Sequence, residues 1–373
     1  MTPFNPPVVW DAALGGWTVS TYELVTQALR DPGRFASEGS LVAEYLAPKA
    51  MLTTDSPVHG AVRGTWAKPF GRPAAAERRQ ELEGMADEFL APAIDQLRQG
   101  AKVDLVPLFE RYAGRVVLSL MNLSRAGEDD FRRWYKLVLN SAAFAITPDH
   151  PLYPDHRKAK AEVYAMLAAE LEDRRDRPNP NATDLVSLIA GAEGRSGITR
   201  EVALDNLFNV FTGGADTTVR WLGNAVVVLH RHPDVLAKLR ADPSLIPQAL
   251  EEVMRLRSVT RFAVRTICVD QVELAGEILK RGDAVYLLTS VANHDPQAFE
   301  APERFDLHRS KSRQHLGFSY GMHQCIGMNL ARVEAQAFIG RFLATTPELE
   351  VIDVECGDET IVRGPERLIV RAA

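Results

Sequence analysis

The sequence predicts a mainly α-helical fold with a small β-sheet region, in a single large domain of residues 1–373. Hydrophobic residues recur at helical spacing through most of the chain, and strand-like patterns are found mainly after residue 263. Many helices followed by a few late strands are typical of one helical domain with a small sheet. The best linker candidate, at residues 179–181, joins helix to helix without a change in composition, so we interpret it as a loop.

Composition and charge narrow the class of protein. Apolar residues make up 46% of the chain, enough for a substantial core, and the net charge of −6 argues against a broad nucleic-acid-binding surface. The three cysteines, Cys268, Cys325 and Cys356, show neither the CxxC spacing of zinc sites nor the number needed for a disulfide framework. The sequence shows no signal peptide and no apolar run of bilayer length. We therefore expect a cytoplasmic protein with no membrane attachment.

The predicted helices of the first half are amphipathic segments bounded by turn residues. The first begins at a Ser20 or Thr21 cap and ends before the Asp-Pro-Gly turn that starts at Asp31. The helices predicted here are Thr21–Leu29, Arg78–Leu97, Leu105–Leu120, Phe131–Phe144 and Arg157–Arg175.

The longest helical stretch, Thr199–His232, has Thr199 as its cap and is stopped by Pro233. Gly213 and Gly214 stand near its middle. Each glycine costs a helix roughly 1 kcal/mol relative to alanine. The pair therefore indicates a kink, a close backbone approach or a bound ligand.

The last third of the chain changes character. After a helix at Leu245–Leu256, short strands are predicted at Val264–Leu274 and Ala284–Leu288. The irregular segment from residue 293 to residue 321 is long for a compact domain, and such loops are often functional. A helix at Ile326–Leu343 and short strands close the chain.

The long loop ends in the run FSYGMHQCIG at residues 318–327, directly before that last helix. Cys325 would feel the positive end of the helix, which lowers the pKa of a thiol and favours thiolate. Gly321 and Gly327 permit sharp turns or close approach to something flat, and Phe318 could shield the sulfur. Such a thiolate can bind haem iron, but a lone cysteine of this kind can equally be a buried structural thiol.

The run resembles the haem-binding loop of the cytochrome P450 family, which has Phe, Gly, His, Cys and Gly at the same relative positions. The resemblance extends over nearly the whole chain. Glu252 and Arg255 look like the family's ExxR pair, and Arg304, in the PERF run, looks like the third member of its ion-pair triad. The resemblance implies the cytochrome P450 fold, with haem b between the long central helix and the helix after the cysteine loop. Cys325 would bind the iron, and the triad would hold the fold on the thiolate side.

Further haem contacts follow from the same resemblance. The two haem propionates need cationic or hydrogen-bonding partners. Four residues match the family's propionate partners: His59, Arg63, Arg265 and His323. Each of them taken alone could be an ordinary surface charge, and only the set in matching order favours the haem role. The residues implied to contact haem, besides the iron ligand, are His59, Arg63, Gly213, Arg265, Phe318, His323 and Gly327.

The run GGADTT at residues 213–218 resembles the family's oxygen-activation segment. The glycine-weakened helix would leave room for dioxygen beside the iron. Thr217 would be the alcohol that hydrogen-bonds the oxygen, and Asp216 would be the acid that relays protons. Without the cysteine loop, a Thr-rich kink in a buried helix would be the simpler interpretation.

The resemblance implies a monooxygenase that uses O2 to hydroxylate or dealkylate a small-molecule organic substrate. Its electrons would come from a ferredoxin and a ferredoxin reductase, with Lys68, Arg72 and Arg332 as candidate docking contacts on the thiolate side. We expect a monomer. The alternatives are a peroxide-using haem-thiolate enzyme, which needs no acid–alcohol pair, and a non-catalytic haem-binding protein.

Two departures from the family pattern concern the substrate side. The chain begins near a segment, residues 6–18, that resembles the family's early sheet, so the usual leading helix is short or missing. Arg261 stands where a Pro-containing run is usual, either as a pocket cation for an acidic substrate or, as we favour, as an exposed residue. Apolar residues predominate among those expected to line the pocket, which favours a small to medium apolar or aromatic substrate. The expected lining comprises residues 37–53, 144–164, Asn209, Thr212 and 260–264.

Overall fold

The computed structural model of the chain describes residues 4–40, 47–139, 146, 148–357 and 361–373. Helices dominate these residues, as the sequence predicts. They are Tyr22–Leu29 (α1), Val58–Trp66 (α2), Arg72–Glu77 (α3), Arg79–Arg98 (α4), Val106–Met121 (α5), Glu128–Trp134 (α6), Tyr153–Asp176 (α7), Leu185–Ala192 (α8), Arg200–Gly213 (α9), Asp216–His230 (α10), Pro233–Ala241 (α11), Ile246–Leu256 (α12), Thr289–Ala292 (α13) and Met328–Thr345 (α14). A π-helical turn, Tyr135–Leu139, continues α6.

The strands form small sheets at the margins of the helical body. They are Val8–Asp11 (β1), Gly16–Val19 (β2), Phe35–Ala36 (β3), Val103–Asp104 (β4), Ala263–Ile267 (β5), Gln271–Leu274 (β6), Glu277–Lys280 (β7), Ala284–Leu287 (β8), Leu349–Cys356 (β9) and Pro365–Ala372 (β10). The largest sheet has the order β1-β2-β8-β5-β3, and β2 and β8 are its parallel pair. The strand predicted at Val264–Leu274 is in fact two, because β5 pairs with β8 whereas β6 forms a hairpin with β7.

The hydrophobic core lies among the long helices, where α4 packs against α14 and α5 packs against α10. Close approach between α5 and α6 depends on Gly114, because a Cβ atom there would lie 2.6 Å from the Phe131 ring. Within the described residues, no helix is both long and apolar enough to cross a bilayer. The single domain of residues 1–373 stays a prediction.

The predicted central helix is two helices in line. The Thr199 hydroxyl accepts a hydrogen bond from the Val202 N–H and caps α9, as expected. The helical run is interrupted at Gly214 and at Ala215, whose ψ of −70° departs from helical geometry. The glycine pair therefore marks a real break between α9 and α10, which supports the prediction of a kink.

Candidate active site

The loop that carries Cys325 is held in a fixed shape by its backbone. The Cys325 N–H donates to the Phe318 carbonyl at 2.9 Å, which closes the loop on itself. Gly321 has a φ of +72°, and a Cβ atom there would lie 2.3 Å from the Leu29 carbonyl oxygen. Only glycine fits this position, because the backbone conformation and the close neighbour both exclude a side chain.

The Cys325 thiol lines an internal space. Its surface is accessible to water-sized molecules, although the residue lies deep within the protein. Burial raises its pKa, although hydrogen bonds from the Gly327 and Met328 N–H groups and the charges of Arg63 and Arg332 act to lower it. The predicted lowering of the thiol pKa is therefore wrong for the thiol by itself, because burial outweighs the helix N-terminus. A metal ion that binds the sulfur displaces the proton regardless.

The four predicted propionate partners meet beside this space. His59, on α2, and His323, in the cysteine loop, have ring centroids 4.6 Å apart. Arg63 donates to the Gln324 carbonyl at 2.8 Å, so α2 is attached to the same loop. Arg265, on β5, is only 6% exposed, and its described hydrogen bond runs to the neighbouring Val264 carbonyl.

Among these described residues, the two arginines outnumber the one carboxylate, so positive charge is in excess. Burial lowers the pKa of Arg265 to about 10, and burial together with His323 and Arg63 lowers the pKa of His59 to about 4. Asp55 is the carboxylate that faces them, and it accepts a hydrogen bond from His323 at 2.8 Å. Sequence reasoning missed Asp55, although it stands four residues before His59. An anion placed here would relieve the desolvation of the buried cation.

The break in the central helix opens one face of the backbone. No described atom lies within 4 Å of where a Cβ atom of Gly213 would stand, and Gly213 is exposed. Gly214 faces the opposite way, toward Val117, whose side chain would lie 3.0 Å from an added Cβ atom. The Thr217 hydroxyl donates to the Gly213 carbonyl at 2.7 Å. This break therefore presents a carbonyl and a hydroxyl on one open surface.

Asp216 is 4% exposed and points to different neighbours. Its carboxylate accepts hydrogen bonds from the Tyr135 hydroxyl at 2.6 Å and from Arg220 Nε at 3.2 Å. Arg220 also donates to the Gly364 carbonyl at 2.9 Å and to Glu366 at 3.2 Å. The described contacts of Asp216 thus lead away from the surface on which Thr217 lies. Sequence reasoning missed Tyr135 and Arg220; only Arg220, four residues after Asp216, carried a local signal.

Comparison with known proteins decides the family. The family model for Cytochrome P450 matches residues 17–346. The chain belongs to the cytochrome P450 family. It is 30% identical to the 20-oxo-5-O-mycaminosyltylactone 23-monooxygenase of Streptomyces fradiae, over 93% of this chain and 84% of that protein. It is 29% identical to the mycinamicin IV hydroxylase/epoxidase of Micromonospora griseorubida, over 95% of this chain and 89% of that one.

Solved structures agree with the family assignment. The crystal structure of HmtN, described as a post-tailoring hydroxylase involved in himastatin biosynthesis, matches with a TM-score of 0.86 and 27% identity. The match covers 98% of this chain and 94% of HmtN. The expected cytochrome P450 fold is therefore confirmed, and so are haem b as the cofactor and monooxygenase as the enzyme class.

The residues of this cytochrome P450 fit haem in their chemistry, on three observations. A thiol lines the internal space on one side, and a carbonyl and a hydroxyl lie on the open surface of the broken helix. Buried Arg265 and its neighbours offer positive charge where carboxylates would be welcome. Iron, porphyrin face and propionates each have a chemically matched neighbour.

The ExxR pair is present as predicted, but its third member is not. Glu252 and Arg255, both fully buried, form two hydrogen bonds at 2.8 and 2.9 Å. The second cation on Glu252 is Arg309, whose Nε lies 2.9 Å from Oε1, and not Arg304. The Arg304 side chain is exposed, and its carbonyl accepts from Arg255 and Arg309. The chain turns after PERF, so that residue 309 rather than residue 304 points inward.

Arg332, a predicted docking contact, is partly buried and paired with Glu251. Its guanidinium donates to Glu251 at 2.7 and 2.8 Å and lies 4.7 Å from the centroid of the Phe318 ring. Although burial acts to raise it, His315 and Arg332 lower the pKa of Glu251 to about 2. The Glu251–Arg332 pair therefore holds the Arg332 guanidinium against the Phe318 ring, next to the cysteine loop. Lys68 and Arg72, by contrast, are exposed.

The substrate side is described only in part. Residues 41–46, 144, 145 and 147 of the predicted lining fall outside the described residues. Thr212 is buried and turns its hydroxyl to the Phe208 and Asn209 carbonyls of its own helix. Arg261 is partly buried, and its backbone N–H donates to the Ile361 carbonyl. The interpretation of its side chain as a solvated arginine stays a prediction.

Proposed function

We propose that this cytochrome P450 holds its haem iron on the sulfur of Cys325 and oxidises a small to medium apolar or aromatic compound. The observation that carries the proposal is the position of the Cys325 thiol. It lines an internal space at the start of α14, in a loop closed by the Cys325–Phe318 hydrogen bond. A buried structural thiol would instead be surrounded by packed side chains.

Each of the predicted haem contacts would have a part in binding the cofactor. His59, Arg63, Arg265 and His323 would bind the propionates, with Asp55 orienting the His323 ring. Phe318 would shield the sulfur from water, braced by Arg332 on its face. Gly327, at the N-cap of α14, would keep the helix end close to the sulfur, since its Cβ position is 3.9 Å from Sγ. Haem supplies the redox chemistry by which dioxygen is activated.

The open surface at Gly213 and Thr217 would receive dioxygen. The Thr217 hydroxyl, which donates to the Gly213 carbonyl at rest, would turn to hydrogen-bond the oxygen. Asp216 would supply the two protons with which one oxygen atom leaves as water while the other enters the substrate, so that reduced oxygen is not lost as peroxide. Gly213, which has open space in place of a side chain, would leave room for the oxygen.

Electrons would come from a ferredoxin and its reductase, and the exposed Lys68 and Arg72 would contribute to docking. Surface charges of this kind act through long-range attraction, so salt should slow electron transfer. We place the enzyme in the cytoplasm as a monomer. None of the three cysteines, all of which are described, forms a disulfide.

A ligand screen tests the substrate proposal. Compounds that displace water from haem shift its absorption from the low-spin to the high-spin form. The library should include apolar aromatic compounds, and also 20-oxo-5-O-mycaminosyltylactone and mycinamicin IV, the compounds in the names of the two relatives. A spin shift and product with NADPH, ferredoxin and reductase would support the proposal; no shift with any compound and no product would contradict it.

Thr217→Ala separates oxygen-driven from peroxide-driven chemistry. With NADPH, electron carriers and dioxygen, product should fall at least about tenfold, because the hydroxyl that orders the proton supply is lost. Turnover driven by hydrogen peroxide should persist, and Thr217→Ser should restore most of the oxygen-driven product. Unchanged oxygen-driven turnover in Thr217→Ala would favour the peroxide-using alternative.

A further inference from the structure

Glu110 and Tyr135 occupy one interface between neighbouring helices. Helices α5 and α6 are joined by the short loop 122–127 and pack against each other where Gly114 meets Phe131. Residues four apart share a helical face, so Glu110 lies one turn before Gly114 and Tyr135 one turn after Phe131. In an antiparallel pair these two turns adjoin. The electrostatic coupling between Glu110 and Tyr135 agrees with this placement.

Tyr135 is the inner member. Its hydroxyl is buried and donates to Asp216 at 2.6 Å. Burial and the Asp216 carboxylate raise the pKa of Tyr135 well above its ordinary value. The hydroxyl therefore stays protonated between turnovers, and it can pass its proton on only when another proton replaces it.

Glu110 is the outer member, partly exposed at the end of the interface. Burial raises its pKa to about 7, Asp216 and Asp104 act in the same direction, and Lys136 and Arg132 oppose them. Near neutral pH the carboxyl group is thus present in both its protonated and its ionised form. Such a group can take a proton from water and release it inward at little cost.

Arg220, the described cation on Asp216, cannot serve this purpose. Although burial acts to lower it, Asp216, Tyr135 and Glu366 raise the pKa of Arg220 above its already high value. A guanidinium with so high a pKa does not exchange protons at neutral pH. Arg220 therefore fixes the Asp216 carboxylate and does not conduct protons, whereas the Tyr135 hydroxyl donates to the same carboxylate and can.

We propose that Glu110 and Tyr135 form the outer part of a proton path that ends at Asp216. Glu110 takes up a proton from water and passes it, directly or through one water molecule, to the Tyr135 oxygen. Tyr135 at the same time releases its own proton to the Asp216 carboxylate. One proton moves inward, and no electron is transferred. The inference rests on the proposed function, in which Asp216 supplies protons for the reduction of oxygen.

The test uses the haem-loaded enzyme with NADPH, a plant-type ferredoxin and its reductase, and dioxygen as the probe without organic substrate. Oxygen consumption by the wild type should fall as pH rises through about 7, because Glu110 loses its proton there. Glu110→Gln and Tyr135→Phe should lower the rate at pH 7 about tenfold, enlarge the solvent isotope effect in D2O and abolish this pH dependence. Asp129, an exposed carboxylate in the first turn of α6, gives the matched control, Asp129→Asn, which should match the wild type.

Two further measurements separate the path from structural damage. Reduction trapped by carbon monoxide needs electrons but no proton from Asp216, so its rate should be unchanged in Glu110→Gln. In infrared spectra, the carboxyl C=O band that titrates near pH 7 should vanish in Glu110→Gln. That band should titrate at lower pH in Asp216→Asn, because the Asp216 charge helps to raise the Glu110 pKa.

The possible outcomes are distinct. Wild-type oxygen consumption and pH dependence in Glu110→Gln would overturn the path. A parallel fall in carbon monoxide trapping, or an infrared band that survives in Glu110→Gln, would do the same. A wild-type enzyme that accepts electrons but consumes no oxygen would overturn the proposed function itself, and the path with it.

Discussion

Glu252 and Asp216 are both buried carboxylates that bind an arginine on their own helix, but their surroundings differ. Glu252 is bound by Arg255 and Arg309 and also accepts from the Asp306 N–H at 3.1 Å. Asp216 shares its charge between Arg220 and the hydroxyl of Tyr135, beside an acid that titrates near neutral pH. Permanently charged donors fix a carboxylate in place, whereas a hydroxyl and an acid allow protons to move. The first site serves the fold and the second can serve the reaction.

The largest expected effect is on the fixed site. Arg255→Ala would leave Glu252 fully buried with one of its two cations and remove the donors to the Asn293, Pro302 and Arg304 carbonyls. Breaking a buried pair in this way costs about 3–5 kcal/mol. We expect little folded, haem-containing protein, measured by thermal unfolding and the haem absorption spectrum.

Arg304→Ala is the matched control for that substitution. Its side chain is exposed, and its carbonyl remains in the variant. Stability should change by less than about 0.5 kcal/mol. A loss of stability comparable with that of Arg255→Ala would show that Arg304 is the third member of the triad. In that case Arg309→Ala should change stability little.

Much of the fold followed from sequence because its signals are local. Helix periodicity predicted α4, α5, α7 and α12 within a few residues, and Thr199 and the glycine pair correctly marked the start and the break of the central helix. The short helices α3, α8 and α11 gave too few turns for a clear pattern. The third triad member was wrongly assigned because Arg304 and Arg309 look equally suitable in the sequence. Only the turn between them shows that Arg309 reaches Glu252.

The second effect concerns the exchangeable site. Asp216→Asn keeps an acceptor for Tyr135 but cannot carry a proton as a carboxylate can. Arg220 retains Glu366 and the Gly364 carbonyl, so the protein should fold and bind haem. Oxygen-driven product should fall about a hundredfold while peroxide-driven product persists. Equal loss with both oxidants would mean that Asp216, like Glu252, serves the fold.

The smallest effect is a dependence of stability on pH. The Glu110 pKa is about 7 in the folded protein against an ordinary value of 4.5. The folded state thus binds this proton more tightly, and the stability it gains is complete below pH 4.5 and is lost as pH rises through 7. At pH 8, Glu110→Gln should therefore be more stable than the wild type. Its free energy of unfolding should be higher by on the order of 1 kcal/mol after solvent screening, measured by thermal unfolding.

At pH 4.5 that difference should disappear, because the wild-type carboxyl is then protonated in the folded protein. Asp129→Asn is again the control. A constant difference across this pH range would show that Glu110 does not titrate near neutrality, and the contrast between the two carboxylates would lose its basis.

The candidate site was predictable where a contiguous motif carries it and not where distant residues meet. The cysteine loop and the glycine break each lie within ten residues. Tyr135 and Asp216 are 81 residues apart, and Asp55 and His323 are 268 apart. A tyrosine in one helix and an acid in another carry no pattern until packing brings them together.

Cys325→Ser tests the central claim most directly. Cys356→Ser serves as the control, because Cys356 lies at the end of β9, where its sulfur accepts a hydrogen bond from Arg257. The wild type and the control, reduced and exposed to carbon monoxide, should show the red-shifted absorption band of thiolate-bound haem. Cys325→Ser should lose this band even where haem remains bound. Persistence of the band in Cys325→Ser would contradict the assignment of Cys325 as the iron ligand.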